Sequence, residues 1–184
     1  MADISDVMRQ RQAKIDELSQ LGVELYPHKY SPDHTSAGIL EKFSDVGNEP
    51  DETQSVVISG RIMTRRDHGN SGFAHLQDSR GQIQIYVRKD NVGADTYKIY
   101  KKLDIGDFIG VCGNVFKTRT GQITVSALEV VLLSKSFRPL PEKFHGLQDK
   151  ETRYRQRYAD LIINRKSRKS LSTVRGLFKQ YVIF

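Results

Sequence analysis

Two runs of alternating polarity near the middle of the chain gather the side chains best suited to chemistry on a ligand. In Gly72–Asp78, Phe73, His75 and Gln77 alternate with Ala74 and Leu76, and in Gln82–Lys89, Gln82, Gln84 and Tyr86 alternate with Ile83, Ile85 and Val87. Successive strand residues face opposite sides, so the apolar set turns inward and the polar and aromatic set turns outward together. A two-residue hairpin loop at Ser79-Arg80 then pairs Phe73 with Tyr86 and His75 with Gln84. The outward face carries two aromatic rings beside carboxamides that both donate and accept hydrogen bonds. The same parity in Ser55–Arg66 sends Val56, Ile58 and Ile62 inward, and Arg61 and Arg65 outward toward that face. Recognition of single-stranded RNA asks for a ring to stack on each unpaired base, about 1–3 kcal/mol apiece, an amide to read the base edge and cations for the phosphates. Two loops flank the face: Arg66–Gly72, which opens with Arg66, and Lys117–Gln122, which carries Arg119 and Gln122.

These runs belong to a segment, Ser55 to Leu133, built of short β-type stretches punctuated by Gly, Asn and Asp. The pattern predicts five strands: Ser55–Arg66, Gly72–Asp78, Gln82–Lys89, Asp107–Lys117 and Ile123–Leu133. One helix over Asp95–Leu103 lies between the third and fourth, with Thr96, Ile99, Tyr100 and Leu103 on its apolar stripe. Three strands, a helix and two strands is the order of an OB-fold, a Greek-key barrel whose second and third strands bind oligonucleotides; another five-stranded topology stays open on pattern alone. Gly60 stands where such a barrel needs a sharp bend. Before this segment, Asp3–Leu21 has helical spacing, with Ser5 to cap its start, Gly22 to stop it, and Arg9, Arg11 and Lys14 on a polar side read as solvated. Gly22 to Thr53 is loop-like apart from a short helix over Ala37–Phe43. Each face residue also has an ordinary reading: a ring covering the barrel edge, an exposed strand histidine, glutamines in solvent. Their convergence on one face is what favours RNA.

Composition bounds the rest. The 184 residues suffice for one full domain with attachments. No apolar run approaches the roughly 20 residues of a membrane span, so no membrane partner is expected. Acidic residues interrupt the N-terminus where a signal peptide would be apolar, and the single cysteine, Cys112, allows no internal disulfide; a reducing, cytoplasmic setting follows. The net charge of +7 is uneven: −6 over residues 1–54, +4 over 55–133 and +9 over 134–184. That distribution suits a polyanionic partner, or equally a solvated basic surface.

From Val57 to Leu161 the chain resembles bacterial lysyl-tRNA synthetases of class II. The resemblance is carried by Gly60–Arg66, Leu76-Gln77-Asp78, Gly81–Gln84, Phe116–Gly121 and above all Arg138–Leu147, continuing through Asp149, Glu151 and Arg153–Tyr158. The barrel and the Arg-Tyr-rich helix are shared with aspartyl and asparaginyl enzymes; Phe144-His145-Gly146-Leu147 points to lysine. The resemblance implies a mainly β chain, divided into an N-terminal helix and lead-in (1–54), an anticodon-binding OB-fold domain (55–135), a linker (136–148) and the start of a catalytic domain (149–184). It implies a partner, the anticodon stem-loop of lysine tRNA. In such a site Phe73 stacks on the central anticodon base, a uridine, and Arg65 and Gln84 contact that base. Gln122 occupies a loop position where relatives often have glutamate, and His75 is an additional contact. ATP, Mg²⁺, lysine and homodimer formation belong to the full-length parent. The segment itself is expected to hold no cofactor, metal site or catalytic residue. After Asp149 a helix with Tyr154, Tyr158, Leu161 and Ile162 on one face is expected, then a second over Leu171, Val174, Phe178 and Tyr181. Tyr181-Val182-Ile183 departs from the Gly-Phe pair usual in the family. Two other functions remain open: a single-strand-binding OB protein with no preference for tRNA, and an assembly module that dimerises through its tail helices.

Overall fold

The computed structural model describes residues 4–50, 52–141 and 149–181. Five strands, β1 (Ser55–His68), β2 (Ser71–Gln77), β3 (Gln82–Arg88), β4 (Phe108–Lys117) and β5 (Ile123–Ser134), close into a barrel in the order β1-β2-β3-β5-β4. Neighbours are antiparallel except at the β3–β5 seam, which is parallel. This is the OB-fold that the order of elements predicts.

Alternation fills the barrel as expected: Val56, Ile58 and Ile62 of β1, Leu76 of β2, and Ile83, Ile85 and Val87 of β3 are at most 2% exposed. Phe73 lies opposite Tyr86 and His75 opposite Gln84. The Asp78 N–H donates to the Gly81 carbonyl at 3.1 Å across Ser79-Arg80. The Asp78 carboxylate accepts from the Arg80 and Gly81 N–H groups at 2.7 Å each, which fixes the hairpin register. Gly60 sits where β1 crosses closest to β2; a Cβ there would meet the Gln77 carbonyl oxygen at 3.0 Å and the Leu76 Cβ at 3.2 Å.

The β1–β2 connection departs from expectation. Instead of a loop over Arg66–Gly72, the ladder runs on through Arg66 opposite Phe73, Asp67 opposite Gly72 and His68 opposite Ser71, leaving only Gly69-Asn70 as the turn. Gly69, at φ +55°, supplies the left-handed first position that a type II′ hairpin calls for, and the strands can therefore twist together to their ends.

The helices attach to the barrel through specific contacts. α1 (Ile4–Gln20) ends as predicted at Gly22: the Gly22 N–H donates to the Ser19 carbonyl and the Val23 N–H to the Leu18 carbonyl, a Schellman pair. Its Leu18 is fully buried, while Leu21 is exposed. α2 (Ser36–Lys42) is pinned to the β2–β3 turn, because the Ser36 N–H and hydroxyl donate to the Asp78 carboxylate at 2.6 and 2.7 Å. Burial works against ionisation of Asp78, but these bonds outweigh it and hold the carboxyl below its ordinary range. A short helix, α3 (Lys89–Val92), precedes α4 (Ala94–Lys102), which covers one end of the barrel with Tyr97, Tyr100 and Leu103 buried.

On the polar side of α1, Arg9 is solvated as the sequence suggests, but Arg11 and Lys14 are drawn onto the barrel unit. Arg11 is buried and donates to the carbonyls of Ile105 at 2.9 Å, Ser136 at 2.7 Å and Arg138 at 3.2 Å. Beside it the fully buried Lys135 ammonium donates to the Asp104 carboxylate at 2.5 Å and to Asp107 at 2.8 Å, and Lys14 reaches Asp104 at 2.5 Å. The second Asp107 oxygen accepts from the Ser136 N–H at 2.8 Å. Both members of the Lys135–Asp107 pair are completely desolvated, a cost offset by the second carboxylate on Lys135 and by the Asp104 and Ser136 N–H groups that donate to Asp107.

Residues 1–139 form one compact unit and residues 140–184 a second. In the second, α5 (Lys150–Arg155), α6 (Arg157–Ile163) and α7 (Arg165–Tyr181) follow in order. The single helix expected across Tyr154 to Ile162 is broken at Gln156, and Tyr154 and Tyr158 are exposed while Ala159 and Asp160 are buried. Asp160 draws the turn in: its carboxylate accepts from Arg153 and Arg157, each at 3.1 Å. Phe144–Leu147 lie outside the described residues. Among the described residues no helix is long and apolar enough to cross a membrane.

Truncating one partner of the buried pair leaves the other uncompensated. Asp107→Ala is expected to lower the unfolding free energy by about 3 kcal/mol, the low end for such a loss because Asp104 still faces Lys135, as read by urea denaturation. Burial opposes ionisation of Asp104, but the Lys135 and Lys14 hydrogen bonds more than offset it and depress its pKa. A depressed carboxyl contributes stability above its unfolded value, and that contribution is lost as pH falls through the folded one. Stability should therefore decline on acidification below about pH 4, and Asp104→Asn should flatten the decline.

Candidate nucleic-acid interface

The β1–β2 register shows an irregularity between Ile62 and Thr64: Ile62 faces Leu76 and Thr64 faces the next residue, His75, so Met63 has no partner. One extra residue reverses the parity of everything after it. Thr64 and Arg66 thereby join the outward set opposite His75 and Phe73, and Arg65 falls in register with the interior residues Ala74 and Ile85.

This corrects the expectation that Arg65 stands beside Phe73. Its guanidinium, with the side chain only 12% exposed, lies at the barrel end covered by α4, 4.6 Å from the centre of the Tyr100 ring. It donates to both Asp67 oxygens at 2.9 and 2.6 Å and to the Leu103 carbonyl at 2.6 Å. The Arg65 hydrogen bond is the main reason that the Asp67 carboxyl stays below its usual range. Burial alone would favour a neutral Arg65, and Asp67 reverses that; burial also pushes the Tyr100 hydroxyl upward. Arg61 does point outward, opposite Gln77, but its guanidinium covers the Phe108 ring at 4.2 Å and donates to the Gly106 carbonyl at 2.9 Å. Burial lowers its pKa. Both arginines are committed to the fold.

The outward face consists of successive rows across the sheet. One row holds Arg66, Phe73 and Tyr86. Phe73 and Tyr86 have ring centroids 4.6 Å apart at an interplanar angle of 31°, and Phe116 of β4 meets Tyr86 edge-on at 6.3 Å and 64°. The rings present partly exposed planes, and the exposed Arg66 guanidinium makes no ion pair among the described residues. The neighbouring row holds Thr64, His75 and Gln84, then Thr124 across the parallel seam and Phe116 beyond it. The Thr124 hydroxyl donates to Gln84 Oε1 at 2.7 Å, leaving the Gln84 amide nitrogen as a fixed donor. Gln77, expected on this face, is buried at the barrel end, where its Oε1 accepts from Gln82 Nε2 at 2.9 Å.

His75 and Gln122 are brought together. The Gln122 amide donates to His75 Nε2 at 3.1 Å, and Nδ1 lies 2.8 Å from the Thr64 hydroxyl, so the neutral ring with its proton on Nδ1 satisfies both contacts. Thr118 holds the other side of that loop, accepting from the Gln122 N–H at 3.0 Å. Arg119, at the loop tip, is exposed and without an ion-pair partner among the described residues. Of the residues singled out in the sequence, Arg66, Phe73, His75, Gln84 and Gln122 therefore share one surface; Arg119 flanks it, and Arg61 and Arg65 leave it. Thr64 and Phe116 belong to the surface without having been predicted, and the buried Thr124 supports it from beneath through Gln84. The outward parity of Phe116 is readable from Val115, but its place beside Tyr86 depends on the β3–β5 seam. Together these groups offer aromatic planes, fixed amide donors and free cations, the means to hold unpaired bases and their phosphates.

Comparison with known proteins agrees with this geometry. Residues 56–133 match the tRNA anti-codon family, described as an OB-fold nucleic acid binding domain. The chain is 54% identical over 162 residues to a lysine–tRNA ligase of Pelotomaculum thermopropionicum, a match covering 88% of this chain and 31% of the relative. It is 50% identical over 169 residues to the lysine–tRNA ligase of Staphylococcus epidermidis and 47% identical over 167 residues to that of Lactococcus lactis, each match covering 90% of this chain and 34% of the relative. The chain is thus similar to lysine–tRNA ligases over about nine-tenths of its own length and spans about a third of the length of these relatives.

The reversal of parity at Met63 separates the two adjacent arginines experimentally. Arg65→Ala should cost about 1.5–3 kcal/mol in urea denaturation through loss of its charge-assisted bonds. Arg66→Ala should stay within about 0.5 kcal/mol of the parent protein.

Proposed function

We propose that this chain is the anticodon-binding part of a lysine–tRNA ligase, whose whole protein joins lysine to its tRNA at the expense of ATP. The observation that carries the reading is the row Arg66–Phe73–Tyr86 with Gln84 beside it, on the barrel of a chain similar to lysine–tRNA ligases. In this reading an anticodon base stacks on Phe73, with Tyr86 extending the platform. Gln84 offers its amide N–H groups to a base carbonyl such as uracil presents, and Thr124 holds that amide in orientation. Arg66 takes the role first expected of Arg65, and Arg119 meets a phosphate at the rim. Gln122, held by His75, faces a neighbouring base; as a neutral amide it can donate where a carboxylate would only accept. Arg61 and Arg65 contribute by holding the sheet that presents these groups.

ATP, Mg²⁺, lysine and pairing of subunits belong, in this reading, to the remainder of the ligase, which acts in the cytoplasm. No adenylation chemistry is assigned to residues 1–184. Binding of a lysine-tRNA anticodon stem-loop tests the proposal. Phe73→Ala should weaken it by about 1–3 kcal/mol. Arg119→Ala should chiefly make the slope of log affinity against log salt shallower, by about 0.7–0.9. Equal affinity for unrelated single-stranded DNA would replace the reading with a general single-strand binder. Lysine-dependent exchange of pyrophosphate into ATP by the isolated chain would refute the absence of catalysis.

A further inference from the structure

The reading face does not end at the Arg66–Phe73–Tyr86 row. The next row toward the β1–β2 turn is His68, Ser71 and Arg88, about 7 Å further along the strands. Beyond it the Lys89 N–H donates to the Asn70 carbonyl at 2.9 Å, which ties the turn to the start of α3. There a cavity of about 530 Å³ opens between the turn, α4 and α1. Five of its lining residues are lysines, Lys14, Lys89, Lys98, Lys101 and Lys102, against one carboxylate, Glu17. Asn70 and Tyr97 supply neutral polar edges to the same cavity.

Several of these ammonium groups already have carboxylates: Lys14 with Asp104, Lys98 with Asp95 at 3.0 Å, Lys101 with Asp67 at 3.5 Å, and Lys102 with Glu17. The Lys98–Asp95 pair is an exposed surface pair that exchanges readily for another anion, and Lys89 has no ion pair among the described residues. Lys14, Lys101 and Lys102 connect α1, α4 and Asp67, so they shape the cavity, while Lys89 is open to a ligand and Lys98 can exchange Asp95 for one. Phosphate oxygens are the anions that such a point-charge cluster suits, since ammonium groups neutralise them without demanding a fixed fork geometry.

We infer that this cavity seats backbone phosphates of the same RNA whose bases occupy the Phe73–Tyr86 face, with Lys89 and Lys98 as the contacting groups. The inference rests on the proposed function and extends its footprint around the β1–β2 turn, from the unpaired bases to the strand that leads away from them.

The test measures affinity against salt for the 184-residue chain with two probes: the anticodon stem-loop, and a seven-nucleotide single strand of the loop sequence alone. Lys89→Ala/Lys98→Ala should make the stem-loop slope shallower by about 1.4–1.8, leave the seven-nucleotide slope unchanged, and leave thermal stability unchanged. The corresponding Lys→Arg pair should retain the parent slope. An unchanged stem-loop slope in the alanine variant, while Phe73→Ala still weakens both probes, overturns this inference alone. Absence of stem-loop binding by the parent chain overturns both the inference and the proposed function. Saturable binding of inorganic pyrophosphate that the alanine pair abolishes, without any change in RNA slope, would assign the cavity to a free phosphate ligand and also overturn the inference.

Discussion

Met63, the residue without a cross-strand partner in β1, governs the surface chemistry of this domain. A strand can offer only every second side chain to a given face, and two adjacent arginines cannot serve the same side. By taking up one position without pairing, Met63 assigns Arg65 to the barrel end and Arg66 to the reading face. The first then locks Asp67 and α4 together, and the second stays uncommitted beside Phe73. The division of labour is physical: the arginine with short bonds to a carboxylate and a carbonyl is desolvated and fixed, and its neighbour stays exposed and hydrated. The rings in that row stay in place because β1, β2 and β3 remain paired to the turn at Gly69-Asn70.

The acidic N-terminal section is integral to the barrel unit. Arg11 closes on two carbonyls at the exit of β5 and one ahead of β4, and Lys135 is neutralised from two sides by Asp104 and Asp107. The lead-in is fastened again at Asp78, where one carboxylate orders both the β2–β3 hairpin and the start of α2. The same carboxylate thus links the register of the reading strands to the packing of a segment remote in sequence.

The parts of this architecture that depend on period-two alternation were legible in the sequence: the pairing of Phe73 with Tyr86, of His75 with Gln84, and the inward set of β2 and β3. So was the stop of α1 at Gly22, which depends on one residue type at one position. Features decided by tertiary partners were not. Nothing local marks Met63 as a bulge, so parity carried forward from Ile62 placed Arg65 on the wrong side. Arg11 reads as a solvated helix residue because its three carbonyl acceptors lie about a hundred residues away in sequence. The tight turn at Gly69-Asn70 was hidden within a polar stretch that resembles a loop. Phe116 reaches the outward face, and the buried Thr124 reaches Gln84, only through the parallel β3–β5 seam, a contact that no hairpin rule anticipates.

Closure of the barrel has one further consequence. An open sheet presents a free edge whose N–H and C=O groups can pair with an incoming chain, and such pairing is indifferent to side-chain identity. With β1 joined to β4 and β3 to β5, no strand is left as a free edge, and a visiting polymer meets mainly side chains. Discrimination is thereby concentrated in a handful of substitutable positions on an inert frame, and the choice of ligand can drift through evolution while the scaffold stays as it is.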